Sequence, residues 1–350
     1  MKQFLKIVFV MFFMLPFIAN AQTDSLITQK KKWPFSIIQK IQEGNLRVVP
    51  IPAFSISPEK GVSAGLILQY FFNTGVTKVE KEQTRFSNAY TNFQYSSFNQ
   101  LIAEGVYSIY TNKEKYYLQG AIGYKNFYER YWTFSDDTVS NNQFRGVEYE
   151  YIYVRGKWMK NLKHQLFVGV NFAYNNFNKI NFQDGTYPTI PIVEGLNESI
   201  SIGIGPAFII DKRDNQFSPQ KGWFAEGGIR IHHKSIGSNF NFTQYNVDVR
   251  RYLKKKEKGI LALQINAILN NGEVPFLEKI KLGNDRIMRG YFAGRFRDNE
   301  FAAAQLEYRY PIGKNFVLAG FLSAGQTASS VSTFALNNLQ SSMGGGLRYL

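Results

Sequence analysis

From Val48 onward, apolar and polar residues alternate with a period of two in segments of about ten residues, and no later stretch approaches the roughly 18 apolar residues of a membrane-spanning helix. Leu166, Val168, Val170, Phe172 and Tyr174 alternate with Gln165, Gly169, Asn171 and Asn175. Leu261, Leu263, Ile265, Ala267 and Leu269 alternate with Gln264, Asn266 and Asn270, and a third segment sets Tyr245, Val247 and Val249 against Gln244, Asn246, Asp248 and Arg250. One face is apolar and the other polar or small. A soluble sandwich alternates in the same way, so length discriminates: strands of about ten residues exceed the soluble mode of about five or six. In lipid every backbone N–H and C=O has to be paired within the protein, and a closed barrel is the only sheet that achieves this. The pattern therefore predicts an all-β chain, a transmembrane antiparallel β-barrel with about 14 strands over residues 48–350.

The connections fall into two sets. Thr111 to Lys115, Asn161 to His164, Ser218 to Gly222, Lys254 to Gly259 and Pro311 to Asn315 are short, whereas Thr133 to Arg145, Asn178 to Ser199, Glu273 to Asn299 and Gln326 to Ser341 are long. Outer-membrane barrels have short periplasmic turns and long outside loops, which puts the start of the barrel on the periplasmic side.

Residues 1–21 read as a secretory signal peptide, with Lys2 and Lys6, an apolar run from Ile7 to Ile18, and the small-residue cleavage site Ala19-Asn20-Ala21. The apolar run is too short to span a bilayer. Residues 22–47 form a short periplasmic segment, either a helical turn opened by Pro34 with Phe35, Ile38 and Ile41 near one face, or a disordered leader. It is too short for a folded domain of about 50 residues.

Composition narrows the chemistry. Aromatic residues make up 16% of the 350 residues and charged residues 19%, with 29 glycines, which suits a greasy β surface. The formal charge of +15 fits anionic lipid or nucleic acid, and export selects outer-membrane lipids over nucleic acid. The absence of cysteine excludes disulfides, thiolate metal sites and cysteine nucleophiles. A mean hydropathy of −0.25 argues against a bundle of membrane helices.

The most specific stretch runs from Leu282 to Gly325. It contains Gly283, Met288-Arg289-Gly290-Tyr291, Gly294-Arg295-Phe296-Arg297-Asp298, Leu306-Glu307-Tyr308-Arg309-Tyr310-Pro311, and Phe321 to Gly325. Asp211-Lys212-Arg213-Asp214-Asn215, followed by Pro219 and Gly222, and the region Pro50 to Gly65 accompany it. Over residues 48–350 the chain resembles the BamA/TamA superfamily of outer-membrane assembly barrels, the bacterial surface antigen family, in a form lacking periplasmic POTRA domains. The resemblance implies that the Arg-Gly-aromatic tip lies on a long outside loop folded back into the lumen.

The residues support that expectation independently. Alternation turns Leu306, Tyr308 and Tyr310 outward, so Glu307 and Arg309 face the lumen. An inward carboxylate is costly unless paired, and Arg289 is the candidate partner because a guanidinium grips a carboxylate through two hydrogen bonds. Gly290 lets the tip turn. Where the resemblance calls for an Asp two residues before Gly325, the chain has Ser323, which leaves Arg289 one acid or brings in Asp298 or another. The resemblance also implies about 16 strands. The chain is accordingly read as truncated at the C-terminus, with a genuine barrel of about 14 strands as the alternative, since Ser342, Gly344, Leu347 and Tyr349 match the spacing of a C-terminal insertion signal.

The remaining signals are bland. Lys30 to Lys32 and Lys254 to Lys256 fall at the periplasmic rim, as headgroup contacts or solvated turns. Tyr70-Phe71-Phe72 and Tyr128, Tyr131 and Trp132 suit an aromatic girdle or ordinary sheet packing. With His164, His232 and His233 the only histidines, no metal site and no cofactor are expected, and no serine stands in a nucleophile elbow. The expectation is a non-enzyme at the outer membrane, and the resemblance implies that it assists insertion or translocation of proteins or lipids through a weak seam, local bilayer thinning and the lumenal loop. Its expected partners are outer-membrane lipids, client outer-membrane proteins or a separate periplasmic partner, or further copies of itself. The alternatives are a passive narrow pore or structural protein, and a rim hydrolase built on His232 and Asp136.

Overall fold

A computed structural model of the chain describes residues 48–57, 61–132, 144–163, 165–183, 194–255, 259–284, 286–312 and 316–349. The signal peptide, the 22–47 segment with Lys30 to Lys32, and also Asp136, His164, Lys256 and Leu350 lie outside the described residues.

Strands β1 (Val48–Ser57), β2 (Gly61–Phe72), β3 (Ser87–Ser96), β4 (Leu101–Tyr110), β5 (Tyr116–Tyr131), β6 (Arg145–Lys163), β7 (Leu166–Gln183), β8 (Ser199–Asp211), β9 (Gly222–His232), β10 (Phe242–Lys255) and β11 (Gly259–Gly272) each pair antiparallel with the next. β12 (Ile280–Lys281) and β13 (Arg297–Asp298) form a separate ribbon inside the long connection that follows. β14 (Glu300–Ile312) pairs directly with β11, and β15 (Phe316–Ala328) and β16 (Gln340–Tyr349) complete a 14-stranded sheet. Among the described residues no ladder joins β16 to β1.

The alternation in the sequence becomes two faces. On β7, Val168, Val170 and Phe172 are exposed on the outside while Phe167, Asn171, Ala173 and Asn175 are buried within. Ile265 on β11 is 60% exposed and Leu322 on β15 is 55% exposed. Leaving such side chains in water forfeits about 1.5–3 kcal/mol each, so a belt of them on strand after strand is stable only against hydrocarbon. The fold is a transmembrane antiparallel β-barrel.

The inward face is less uniformly polar than the alternation implies. Near the outside ends of β5 to β7, Tyr131, Val147, Tyr149, Tyr151 and Phe177 pack with Phe276 and Leu277 of the long loop. Near the periplasmic ends, Tyr110, Tyr117, Met159, Phe167, Ala207 and Ile209 form a second dry cluster. Tyr131 is therefore not a girdle residue: it is buried inside, and Trp132 packs edge-on against Phe292 of the same loop at 4.8 Å.

Two connections depart from the sequence reading. β7 continues to Gln183, absorbing the first residues of the expected 178–199 loop, because Phe182 stacks on Phe276 at 5.8 Å and gives the extension a packed face. The β2–β3 connection, on the periplasmic side, is long and carries the helix α1 (Lys78–Glu82), which is started by a capping box between Thr77 and Glu80.

Candidate functional site in the barrel lumen

The β11–β14 connection is a folded unit. Ile280, Leu282, Ile287 and Met288 bury themselves against Phe301 and Ala303 of β14, and the β12–β13 ribbon closes the base. At the tip, Asn284 Oδ1 accepts from the backbone N–H of Arg286 at 2.8 Å and of Ile287 at 3.0 Å. Met288 at φ 53° and Gly290 at φ 98° flank Arg289 and turn it toward the wall. A Cβ at Gly290 would meet nothing within 4 Å, so backbone sign, not space, calls for glycine there.

Arg289 Nη2 donates to Glu307 Oε2 at 2.9 Å, and its guanidinium carbon stands 3.6 Å from the centroid of the Phe321 ring. Glu307 is shared. Arg309 Nε donates to Oε1 at 2.8 Å, and Arg348 of β16 reaches the same carboxylate at 3.0 Å. Three guanidiniums thus converge on one buried acid, and Tyr291 OH donates to the Ser341 carbonyl of β16 at 2.6 Å. The loop tip touches both the wall and the last strand.

A second anchor stands on the opposite wall. Arg297, with a side chain 0% exposed, donates from Nη2 to Glu129 Oε1 at 2.7 Å, lies over the Tyr131 ring at 4.7 Å, and shares Glu129 with Lys281 of β12. Glu129 lies on the fifth strand of the ladder and Glu307 on the twelfth of fourteen, so the loop is tied half-way round the barrel from one wall to the other. Gly294 sits where an added Cβ would come within 2.7 Å of Arg297 Nη2.

The other motif residues serve the periplasmic rim or the loop interior. Arg213 grips Asp211 at 2.7 and 2.8 Å, and Arg85 from the β2–β3 connection joins them, donating to Asp211 at 2.8 Å and to Glu114 at 2.8 Å. Burial alone would weaken the hold of Arg85 on its proton, but Glu114, Tyr110 and Asp211 outweigh it and keep the guanidinium above its ordinary value. Asp214 Oδ1 accepts from the N–H groups of Gln220 and Lys221 at 2.9 and 3.2 Å. Burial acts to raise its pKa, and the backbone hydrogen bonds together outweigh it, leaving the carboxyl below the usual carboxylate range. Gly222 passes so close to Lys212 that a Cβ would stand 2.1 Å from its carbonyl oxygen, and Pro219 lends its carbonyl to Arg309 at 3.4 Å. This turn and the loop tip are therefore joined through Arg309.

Gly283 packs against Tyr291, and exposed Arg295 lies beside Phe296. Asp298 stays in the ribbon, where its carboxylate accepts from the N–H of Asn299 at 2.9 Å, and it is not the second acid on Arg289. Ser323 is buried and hydrogen-bonds Ser342 at 2.6 Å. The role of Glu129 is not apparent from the motifs, because the aromatic residues around it on β5 hide the alternation that marks Glu307 on β14. His232, the last residue of β9, is 2% exposed and stacked on Phe242 at 4.0 Å.

The family model described as the Omp85 superfamily domain matches residues 59–350. Among solved structures, BamA from Haemophilus ducreyi lacking POTRA domains 1-3 is 13% identical, with a TM-score of 0.55, over 86% of this chain and 63% of that one. CdiB from Acinetobacter baumannii is 10% identical, with a TM-score of 0.50, over 87% of this chain and 53% of that one. The chain spans less than two thirds of either, and at these identities the likeness concerns the fold. No curated protein sequence matches the chain.

Proposed function

The chain belongs to the Omp85 superfamily, and on that footing we propose that this outer-membrane barrel assists the insertion or translocation of proteins or lipids, with a loop tied across its lumen as the moving part. The observation that carries the reading is the tip, where Arg289 and Tyr291 hold Glu307 and β16 together beside an edge of the sheet. A strand edge with unpaired backbone groups is a template for a further strand, and a loop that touches it can control access. The work proposed is mechanical, without a covalent step, and takes place after export by the signal peptide. Its partners would be surrounding lipid and unfolded client barrels, with a separate periplasmic protein or further copies of the chain supplying capture. A steady open pore fits less well, because the loop and the aromatic cluster around Phe167 occupy the lumen.

The test is client folding. Full-length protein in phosphatidylethanolamine and phosphatidylglycerol liposomes should speed the insertion of a urea-unfolded eight-stranded barrel several-fold over empty liposomes, and Arg289→Ala with Tyr291→Phe should remove most of that gain. No acceleration, together with steady large single-channel currents, would replace this reading with a pore. Lipid hydrolysis lost on changing His232 or Asp136 would replace it with the enzyme.

A further inference from the structure

Beneath the long loop the lumen encloses a cavity of about 450 Å³, separate from the smaller one around Glu307. Its wall is basic: Lys125, Arg155, Arg230, Lys279 and Lys281 line it, with Glu278 as the facing acid. Lys281 is committed to Glu129, and Lys125 has Glu104 at 3.8 Å. Arg155 and Arg230 are held differently. Arg155 donates to Asn175 Oδ1 at 3.3 and 3.1 Å and to the Tyr151 hydroxyl, and Arg230 donates to Asn171 Oδ1 at 2.9 Å and to Gln244 Oε1 at 3.1 Å. Every one of these acceptors is neutral. They orient the two guanidiniums without neutralising them, and Arg155 Nη1 and Arg230 Nη2 make no hydrogen bond among the described residues.

His232 is an independent sign. It lines the same cavity, is 2% exposed, and has neither ring nitrogen partnered among the described residues. Neutral imidazole carries one donor and one acceptor, and leaving both unmet in a buried site costs the full desolvation of each.

We propose that this cavity is a binding site for a phosphate-type oxyanion, with Arg155 and Arg230 as a double guanidinium clamp and His232 as a third hydrogen-bonding group. Two forks presenting several N–H donors suit the three or four oxygens of a tetrahedral anion, and the volume admits a headgroup larger than the bare ion. The ligand is inorganic phosphate or the phosphate of a lipid headgroup. The site lies apart from the loop tip and does not depend on the assembly reading.

The full chain in zwitterionic detergent should be titrated with sodium phosphate and with short-chain dihexanoylphosphatidylglycerol, against sodium chloride at matched ionic strength, following the unfolding temperature. Either phosphate ligand is expected to raise it by several degrees, with chloride giving no comparable rise. A response to both identifies the shared phosphate group, to the lipid alone a headgroup site, and to free phosphate alone a small-ion site. Arg155→Gln and Arg230→Gln should each weaken the response about tenfold in ligand concentration while raising the ligand-free unfolding temperature, because each removes the repulsion between two guanidiniums that share the wall and form no ion pair among the described residues. Lys234→Gln, at an exposed position, should respond as the wild type does. A response matched by chloride, or one that survives both substitutions, would overturn the proposal. Equilibrium dialysis of the wild-type chain against radiolabelled phosphate gives a second measure: about one phosphate per chain is expected, and none bound overturns the site even where the variants fail to fold.

Discussion

Glu129→Gln isolates the second anchor of the loop. The change keeps the side chain's volume and one acceptor, but it removes the charge that faces Arg297 at 2.7 Å and Lys281 beside it. The Arg297 side chain is 0% exposed and that of Glu129 is 4% exposed, so the surviving guanidinium would be buried and stripped of this carboxylate. Breaking one side of a buried ion pair costs about 3–5 kcal/mol. The hydrogen bond that glutamine can still accept offsets about 0.5–1.5 kcal/mol of this. The net penalty of about 2–4 kcal/mol falls on the docked loop, because an undocked loop lets Arg297 regain water. That shifts the docking equilibrium by about 30- to 1,000-fold. Trypsin added outside proteoliposomes reads the shift at Lys279 and Arg289, which are half-buried in the docked loop and reach the protease when the loop leaves the lumen. With opening fast relative to cleavage, the rate follows the open population and should rise by the same factor, while the barrel keeps its folded mobility on gels. Cleavage within about threefold of wild type in a folded Glu129→Gln barrel would refute the claim that this pair holds the loop.

Three further changes probe other joints. Arg85→Met deprives Glu114 of its bidentate partner and Asp211 of one of two, and should lower the unfolding free energy in urea by about 2–4 kcal/mol; a change under about 0.5 kcal/mol would show that the β2–β3 connection is not tied there. Ser323→Asp offers an acceptor near Arg289, whose Nε is buried with no hydrogen-bond partner among the described residues, and should slow loop cleavage by up to about tenfold, whereas faster cleavage would mean that loss of the Ser342 contact dominates. Asp214 has a folded pKa below its unfolded one, so its contribution is complete above the unfolded value and disappears as pH falls through the folded one. Wild type should therefore lose stability below about pH 4 more steeply than Asp214→Asn, by about 0.5 kcal/mol given the exposure of the turn, and identical pH profiles would remove Asp214 from the account.

The alternation made the barrel legible because membrane strands must present opposite solvents to their two faces, and β7, β10, β11 and β14 turn apolar side chains outward while their inward faces carry the buried polar residues Asn171, Asn175, Asn270 and Glu307. The same rule put Glu307 inward, and the Arg-Gly-Tyr run supplied its partner. β5 obscured its own acid. Phe127, Tyr128 and Tyr131 make both faces of that strand aromatic, so no period-two contrast marks Glu129, and its partner Arg297 lies 168 residues further along the chain. Pairings across a rolled sheet leave no local trace. The β2–β3 connection did carry one, the Thr77 and Glu80 capping box, but loop length alone assigns that side of the barrel only short turns.

The departure at Ser323 has a physical resolution in the strand beside it. Residue 321 sits directly across from Glu307 in the β14–β15 register, and Phe321 presents its ring face to Arg289 at 3.6 Å. A guanidinium over an aromatic face gains about 0.5–2 kcal/mol, comparable to a partly exposed ion pair, without adding a second buried carboxylate that would need its own cation. Glu307 already has three guanidiniums on it, from the loop tip, from β14 and from β16. One acid and one ring therefore hold Arg289 while the same acid keeps the last strand and, through Arg309, the periplasmic turn at Pro219 in contact with the tip. A second acid facing Arg289 alone would bind the loop to the wall without touching β16, whereas the single shared carboxylate puts the loop tip and the last strand in one ion-pair network.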